Sequence, residues 1–169
     1  TEDDILVVSV GGNDIAQEPS CHTIASAALL TYCTPSSAVA GGNPPGLGHF
    51  VDLFGDQVQA YIERLVSKRK PKKVLVCMLY YPDVHSRGGW AEPALCFLCY
   101  NNCPGRLQLA IREVYERGIV GMRVPGTQIV PVPLFEVMDG EQPEDYTERV
   151  EPSPSGGKKL ATFILNKAG

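Results

Sequence analysis

The sequence predicts an α/β domain built on a parallel sheet, and three observations carry that reading. The run "DILVVSV" (4–10) is β-branched and apolar on both faces, and "KVLVCMLYY" (73–81) is a second strand, ended by Pro82. Strands of buried parallel sheets look like the first run, whereas a half-exposed strand alternates. Between them, "FVDLFGDQVQAYIERLVSKR" (50–69) has apolar residues at 51, 54, 58, 61, 62 and 65, the stripe of an amphipathic helix. The order along the chain is strand, helices, strand, helices, strand, helix. That order calls for parallel strands joined by right-handed crossovers.

The elements follow in turn. After the first strand, "TIASAALLTYC" (23–33) is a helix, with Ser20 placed to cap it. "TPSSAVAGGNPPGLG" (34–48) reads as a Pro- and Gly-rich loop. The basic run "SKRKPKK" after the long helix suits the negative end of a helix dipole better than a nucleic-acid patch. Residues 93–100 read as a short helix. "PGRLQLAIREVYERG" (104–118) reads as a longer one, opened by Pro and closed by Gly. "TQIVPVPLFEV" (127–137) is a third strand whose prolines suit an edge or a strand end. "PSGGKKLATFILNKA" (154–168) closes the chain as a helix.

All 169 residues fit one domain, 1–169, of ordinary globular balance: 44% hydrophobic and 20% charged. A net charge of -4 gives no bulk attraction to nucleic acid. The apolar runs are far too short to span a membrane, and the acidic opening "TEDD" is unlike a signal peptide. No cofactor fingerprint occurs: "GGNPPGLG" lacks the spacing of a phosphate loop or a dinucleotide site.

The first strand ends at Gly11, Gly12, Asn13 and Asp14. Ligands of parallel α/β sheets bind outside the carboxyl ends of the strands. Glycines there permit tight backbone geometry, and an asparagine amide can donate to a developing oxyanion. Asn and Asp also cap turns through their own backbone, so a plain turn is the competing account. Far downstream, "ERVEPSPSGGKKLA" holds Glu148, Glu151, Pro152, Ser153 and Gly156 just before the last helix.

These two stretches together resemble the SGNH (GDSL-type) hydrolases, esterases with a three-layer flavodoxin-like fold. Gly11, Asn13 and Asp14 match the family's third block, Gly-x-Asn-Asp. The second stretch has the shape of its fifth block, Asp-x-x-His followed by Pro-Ser and a Gly opening the last helix. The resemblance implies an oxyanion donor at Asn13 and a site residue at Glu151, with Gly11, Gly12 and Asp14 beside the first and Glu148, Pro152 and Ser153 beside the second.

The departures are as specific. No Gly-Asp-Ser nucleophile motif occurs, and the general-base His position is Glu151. A carboxylate accepts a proton but is a much weaker base than imidazole at neutral pH. The resemblance therefore implies the C-terminal portion of the family fold, truncated at its N-terminal side. Its expected role is an inactive structural or interaction subunit of a larger assembly. The alternative is an ester hydrolase whose nucleophilic serine lies on a segment upstream of this sequence, with Glu151 or a nearby histidine as base. In the family the Asn-block strand is internal. The strand at 4–10 is accordingly expected to be internal, covered by an upstream segment, a protein partner or a rearranged terminus.

Two further groups have chemistry. Cys96, Cys99 and Cys103 in "CFLCYNNCP" overlap the tail of an iron–sulfur run, with Cys77, Cys33 or Cys21 able to supply a fourth thiolate. Buried core thiols and a disulfide are the competing accounts. The histidines His22, His49 and His85 are expected in loops. Ser36 and Ser37 carry no nucleophile-elbow signature.

Overall fold

In the computed structural model, which describes residues 3–12, 15, 19–41, 44–86 and 88–169, three parallel strands form the central sheet. They are β1 (Ile5–Val8), β2 (Lys73–Met78) and β3 (Gln128–Pro133), in the order β1-β2-β3. Leu6 pairs with Val74, and Val74 with Ile129. The described helices are α1 (Cys21–Tyr32), α2 (Ser36–Gly41), α3 (Leu47–Asp52), α4 (Val58–Leu65), α5 (Glu92–Phe97), α6 (Pro104–Val114) and α7 (Pro154–Ala168). A short antiparallel hairpin, β4 (Tyr146–Thr147) and β5 (Glu151–Pro152), precedes α7.

Both faces of the sheet are covered, because β2 sends alternate side chains to opposite sides. Val74, Val76 and Met78 enter the larger core with Phe54, Ile62, Ile111 and Val114. Leu75 and Cys77 face Leu160, Phe163 and Ile164 of α7. Burial pushes the Cys77 thiol up to about 11.

The long helix is continuous in outline but wider in its middle. A π-turn at Leu53–Gln57 joins α3 to α4, and a second, Tyr115–Ile119, extends α6. The two meet at Gly55 and Gly118: a Cβ on Gly55 would lie 3.0 Å from the Gly118 Cα. The buried face of the first runs through Phe50, Phe54, Val58, Ile62 and Val66, while Tyr61 and Leu65 are exposed. Of the stripe expected at 51, 54, 58, 61, 62 and 65, Phe54, Val58 and Ile62 are buried and Val51 packs against the core, whereas Tyr61 and Leu65 are exposed.

Several expectations need correcting. The strand at 4–10 is not internal. β1 is an edge strand, with Ile5 42% and Val7 45% exposed. Its two-faced apolar pattern resembles that of β2, but among the described residues of this chain only β2 has a strand on each side. The stretch 34–48 is not all loop, since it contains α2 and the start of α3. His22 and His49 lie in helices, and their rings touch at 4.2 Å between centroids. The Ser20 cap of α1 is present, its Oγ accepting from the Thr23 amide at 3.0 Å. Among the described residues no helix is long and apolar enough to cross a membrane.

The start of α7 sets the position of the hairpin. Ser153 caps it, accepting from the Gly156 amide at 3.2 Å and donating to the Glu144 carbonyl at 2.5 Å. Gly156 is buried, and a Cβ there would collide with the Asp145 carbonyl oxygen. Gly156→Ala is expected to destabilise the fold by about 2–3 kcal/mol, because α7 must lift off the hairpin or the hairpin must shift. Urea denaturation checks this: an unchanged midpoint would show that the helix start yields freely.

Candidate functional site

A cavity of about 720 Å³ opens at the carboxyl end of the sheet. Its floor is the end of β1, Ser9 to Gly12, together with Met78 and Leu79 after β2. Its walls are apolar side chains of α1, α3, α5 and α6, among them Leu30, Phe50, Leu95 and Ile111. Val150, Glu151 and Pro152 of the hairpin close it, with Trp90 and Tyr80 beside them. A mostly apolar concavity with a few polar groups is the usual form of a small-molecule site.

The two sequence stretches therefore meet. Gly11 and Gly12 line the same cavity as Glu151 and Pro152, although most of the chain separates them. Parallel topology is the cause: the turns after β1 and β3 emerge on one rim. Gly11 has φ +96, and a Cβ on it would lie 2.7 Å from the Phe54 ring, so both backbone and space require glycine there. Asn13 and Asp14 lie outside the described residues, as does Arg87. Glu148 is not brought in. It is exposed and packs beside Gly89. Ser153 caps α7 as described above, outside the cavity lining.

Glu151 is half-buried. Its Oε1 accepts from the Trp90 indole N–H at 2.6 Å, and its Oε2 is buried with no hydrogen-bond partner. Burial, and secondarily the Glu151 charge, pushes the Tyr80 phenol up to about 12, and Tyr80 donates to the Val150 carbonyl at 2.5 Å. A second cavity residue, Arg106, donates from Nη1 to the Thr31 carbonyl, while its buried Nε has no partner. Arg149 does not pair with Glu151 among the described contacts.

Arg149 instead holds the hairpin from behind. It is 1% exposed. Its Nε and Nη2 both donate to the Asp83 carbonyl, at 3.0 and 2.9 Å. Its Nη1 bonds Glu92 Oε2 at 2.7 Å and Asn101 Oδ1 at 2.6 Å. The Asp83 amide donates back to the Arg149 carbonyl at 2.9 Å. Glu148 and Arg149 have φ of 49° and 73°, left-handed backbone in the short turn between β4 and β5 that non-glycine residues resist. The buried guanidinium network offsets that strain.

The cysteines do not form a cluster of buried ligands. All six are free. Cys77 is buried, Cys99 is half-buried, and Cys21, Cys33, Cys96 and Cys103 are exposed. Exposure corrects the core-thiol account for Cys96 and Cys103, and Cys99 is only half-buried. Among the described residues, no three His, Cys, Asp or Glu side chains gather into a group that could hold a metal, so Cys96, Cys99 and Cys103 do not converge as ligands. His85 bonds the buried Asp83 through Nδ1 at 2.9 Å and is otherwise exposed.

Sequence reasoning missed Ser9, Tyr80, Trp90 and Arg106 as cavity residues. Trp90 left one signal: it is the sole tryptophan, and it follows two glycines. Comparison with family models, curated proteins and solved structures gives no match for this chain.

Two expected outcomes follow from this geometry. Arg149→Met strands the Glu92 carboxylate and the Asp83 carbonyl, and should cost about 3–5 kcal/mol. Denaturant unfolding with Trp90 emission as the probe checks it, and a loss below about 1 kcal/mol would show that the network contributes little. The second concerns pH. Hydrogen bonds from Ser86, then Arg149 and Asn101, hold the Glu92 carboxyl down at about 2, against an ordinary 4.5. A depressed carboxylate stabilises the fold above its unfolded value and loses that contribution as protons bind. Stability should therefore fall between about pH 4.5 and about pH 2. Glu92→Gln should flatten that part of the stability–pH curve, and an unaltered slope in the variant would count against the assignment.

Proposed function

We propose that this chain is an SGNH-hydrolase-like domain of flavodoxin-like type, catalytically inactive by itself, that acts as a ligand-binding or interaction subunit of a larger assembly. The single observation that supports it is the meeting of Gly11–Gly12 and Glu151 on one cavity at the carboxyl end of a parallel sheet. In this reading Asn13 carries the oxyanion-donor role and Glu151 the place of the family's base. The apolar walls suit the acyl part of an ester-like ligand, and the polar end of that ligand lies toward the hairpin.

Inactivity rests on chemistry. An oxyanion donor accelerates acyl transfer only when a nucleophile is activated beside it. Glu151 takes an indole proton donor on one oxygen, an arrangement that holds a carboxylate still and offers no imidazole to orient.

A second reading is favoured by the β1 edge, whose Ile5 and Val7 are exposed. A strand laid beside β1, from an upstream segment or a partner chain, would bury them and bring further groups to the same rim. Such a strand carrying a serine would make the assembly an ester hydrolase.

The test is a fluorophosphonate probe, with p-nitrophenyl butyrate as substrate, applied to this chain alone. No serine should be labelled stoichiometrically, and turnover should match buffer. Labelling of Ser9, the serine on the cavity floor, with turnover abolished by Ser9→Ala, would overturn the inactive reading.

A further inference from the structure

The exit of α5 has an unusual end. The Cys99 amide donates to the Cys96 carbonyl at 2.9 Å, and the Tyr100 amide to the Leu95 carbonyl at 2.9 Å. These two bonds make a Schellman motif, whose last-but-one residue takes a left-handed backbone and is usually glycine. Here that residue is Cys99, with φ 53°. The accompanying apolar contact is also present, since Leu95 and Tyr100 share a buried cluster.

The same geometry brings the backbones of two cysteines together. A hydrogen-bonded turn from Cys96 to Cys99 holds their Cα atoms closer than about 7 Å, a bound that overlaps the roughly 4.4–6.8 Å a disulfide spans. Cys96 is exposed and Cys99 half-buried, so an external oxidant can reach the pair. The Tyr32 hydroxyl sits against both. It donates to the Phe97 carbonyl at 2.7 Å, and its phenol is raised first by desolvation and then by a hydrogen bond with Cys99 and the charge of both thiols. Tyr32 and Phe97 touch edge to face at 6.0 Å. The turn also belongs to the cavity: Leu95 and Leu98 line it from α5, and Leu30 and Thr31 line it from α1, next to Tyr32.

We propose that Cys96 and Cys99 form a redox-active dithiol that is oxidised to an intramolecular disulfide by exchange with a low-molecular-weight disulfide, locking the turn that walls the strand-end cavity. The balance is complete. One thiolate attacks a sulfur of the small disulfide, forming a mixed disulfide and expelling one small thiolate. The second cysteine thiolate attacks the protein-side sulfur of that mixed disulfide and expels the other small thiolate. The protein loses two electrons and two protons, and the small disulfide gains them as two thiols. The proposal stands whether or not the cavity binds an ester-like ligand.

The full chain is reduced and then equilibrated in glutathione buffers of rising oxidised fraction. Intact mass, alkylation and peptide mapping are read at each step. Loss of two hydrogens in mass, with Cys96 and Cys99 alone withdrawn from alkylation and no glutathione retained, is the expected result. Cys96→Ser and Cys99→Ser should each trap one glutathione on the remaining member of the pair, and Cys103→Ser should leave the bridge intact. Persistent alkylation of both cysteines in the most oxidised buffer would overturn the proposal, as would a bridge mapped to Cys99 and Cys103.

Discussion

The buried guanidinium of Arg149 is the constraint on which the rest of the site depends. A fully desolvated cation is tolerated only when its donors are satisfied. Here the partners come from three separate segments: the Asp83 carbonyl, Glu92 and Asn101. The residues after β2, the start of α5 and the hairpin before α7 are thereby tied at one point. Tyr100, whose ring lies 5.8 Å from the guanidinium, adds a fourth contact and itself donates to the Pro82 carbonyl at 2.6 Å. Because the tie enforces left-handed backbone at Glu148 and Arg149, the chain leaves the turn in β5 with Glu151 directed to the cavity and Glu148 directed out.

That tie also explains how a carboxylate comes to line an apolar cavity. Glu151 is held by its strand pairing with Thr147 and by the Trp90 indole, and Trp90 sits just before α5, the helix that Arg149 holds through Glu92. One oxygen is satisfied and the other is buried without a partner. The nearby Arg106 has the same character, one nitrogen bonded and one not. Among the described residues, two buried polar atoms without a partner thus belong to residues of one cavity, whereas most buried polar groups in native proteins are paired.

The edge of the sheet shows a different kind of incompleteness. β1 and β2 carry similar apolar sequences, but β2 is buried on both faces and β1 leaves Ile5 and Val7 in solvent. The apolar pattern states what a strand can bury. It does not state which neighbours are present to bury it.

Much of the scaffold was legible in the sequence, because strand runs, helix caps and helix stripes are local. "KVLVCM" reads as a strand and is one, although the central place expected for the run at 4–10 falls to it; Ser20 caps the helix it precedes. The rule that parallel strands end on one rim led the sequence to place Asn13 and Glu151 together; Asn13 lies outside the described residues, while its neighbours Gly11 and Gly12 line the cavity with Glu151. What the sequence left open depends on pairs distant along the chain. Tyr61 and Leu65 are left exposed beside the buried Ile62, and among the described residues β1 has no neighbour on its outer side. Arg149 chose Glu92 over Glu151, a choice set by a backbone sign at two non-glycine residues that no propensity predicts. Local chemistry determined the elements and their order. Only the tertiary structure decided which polar group each buried charge would meet, because that depends on which segments the folded chain brings within hydrogen-bond reach.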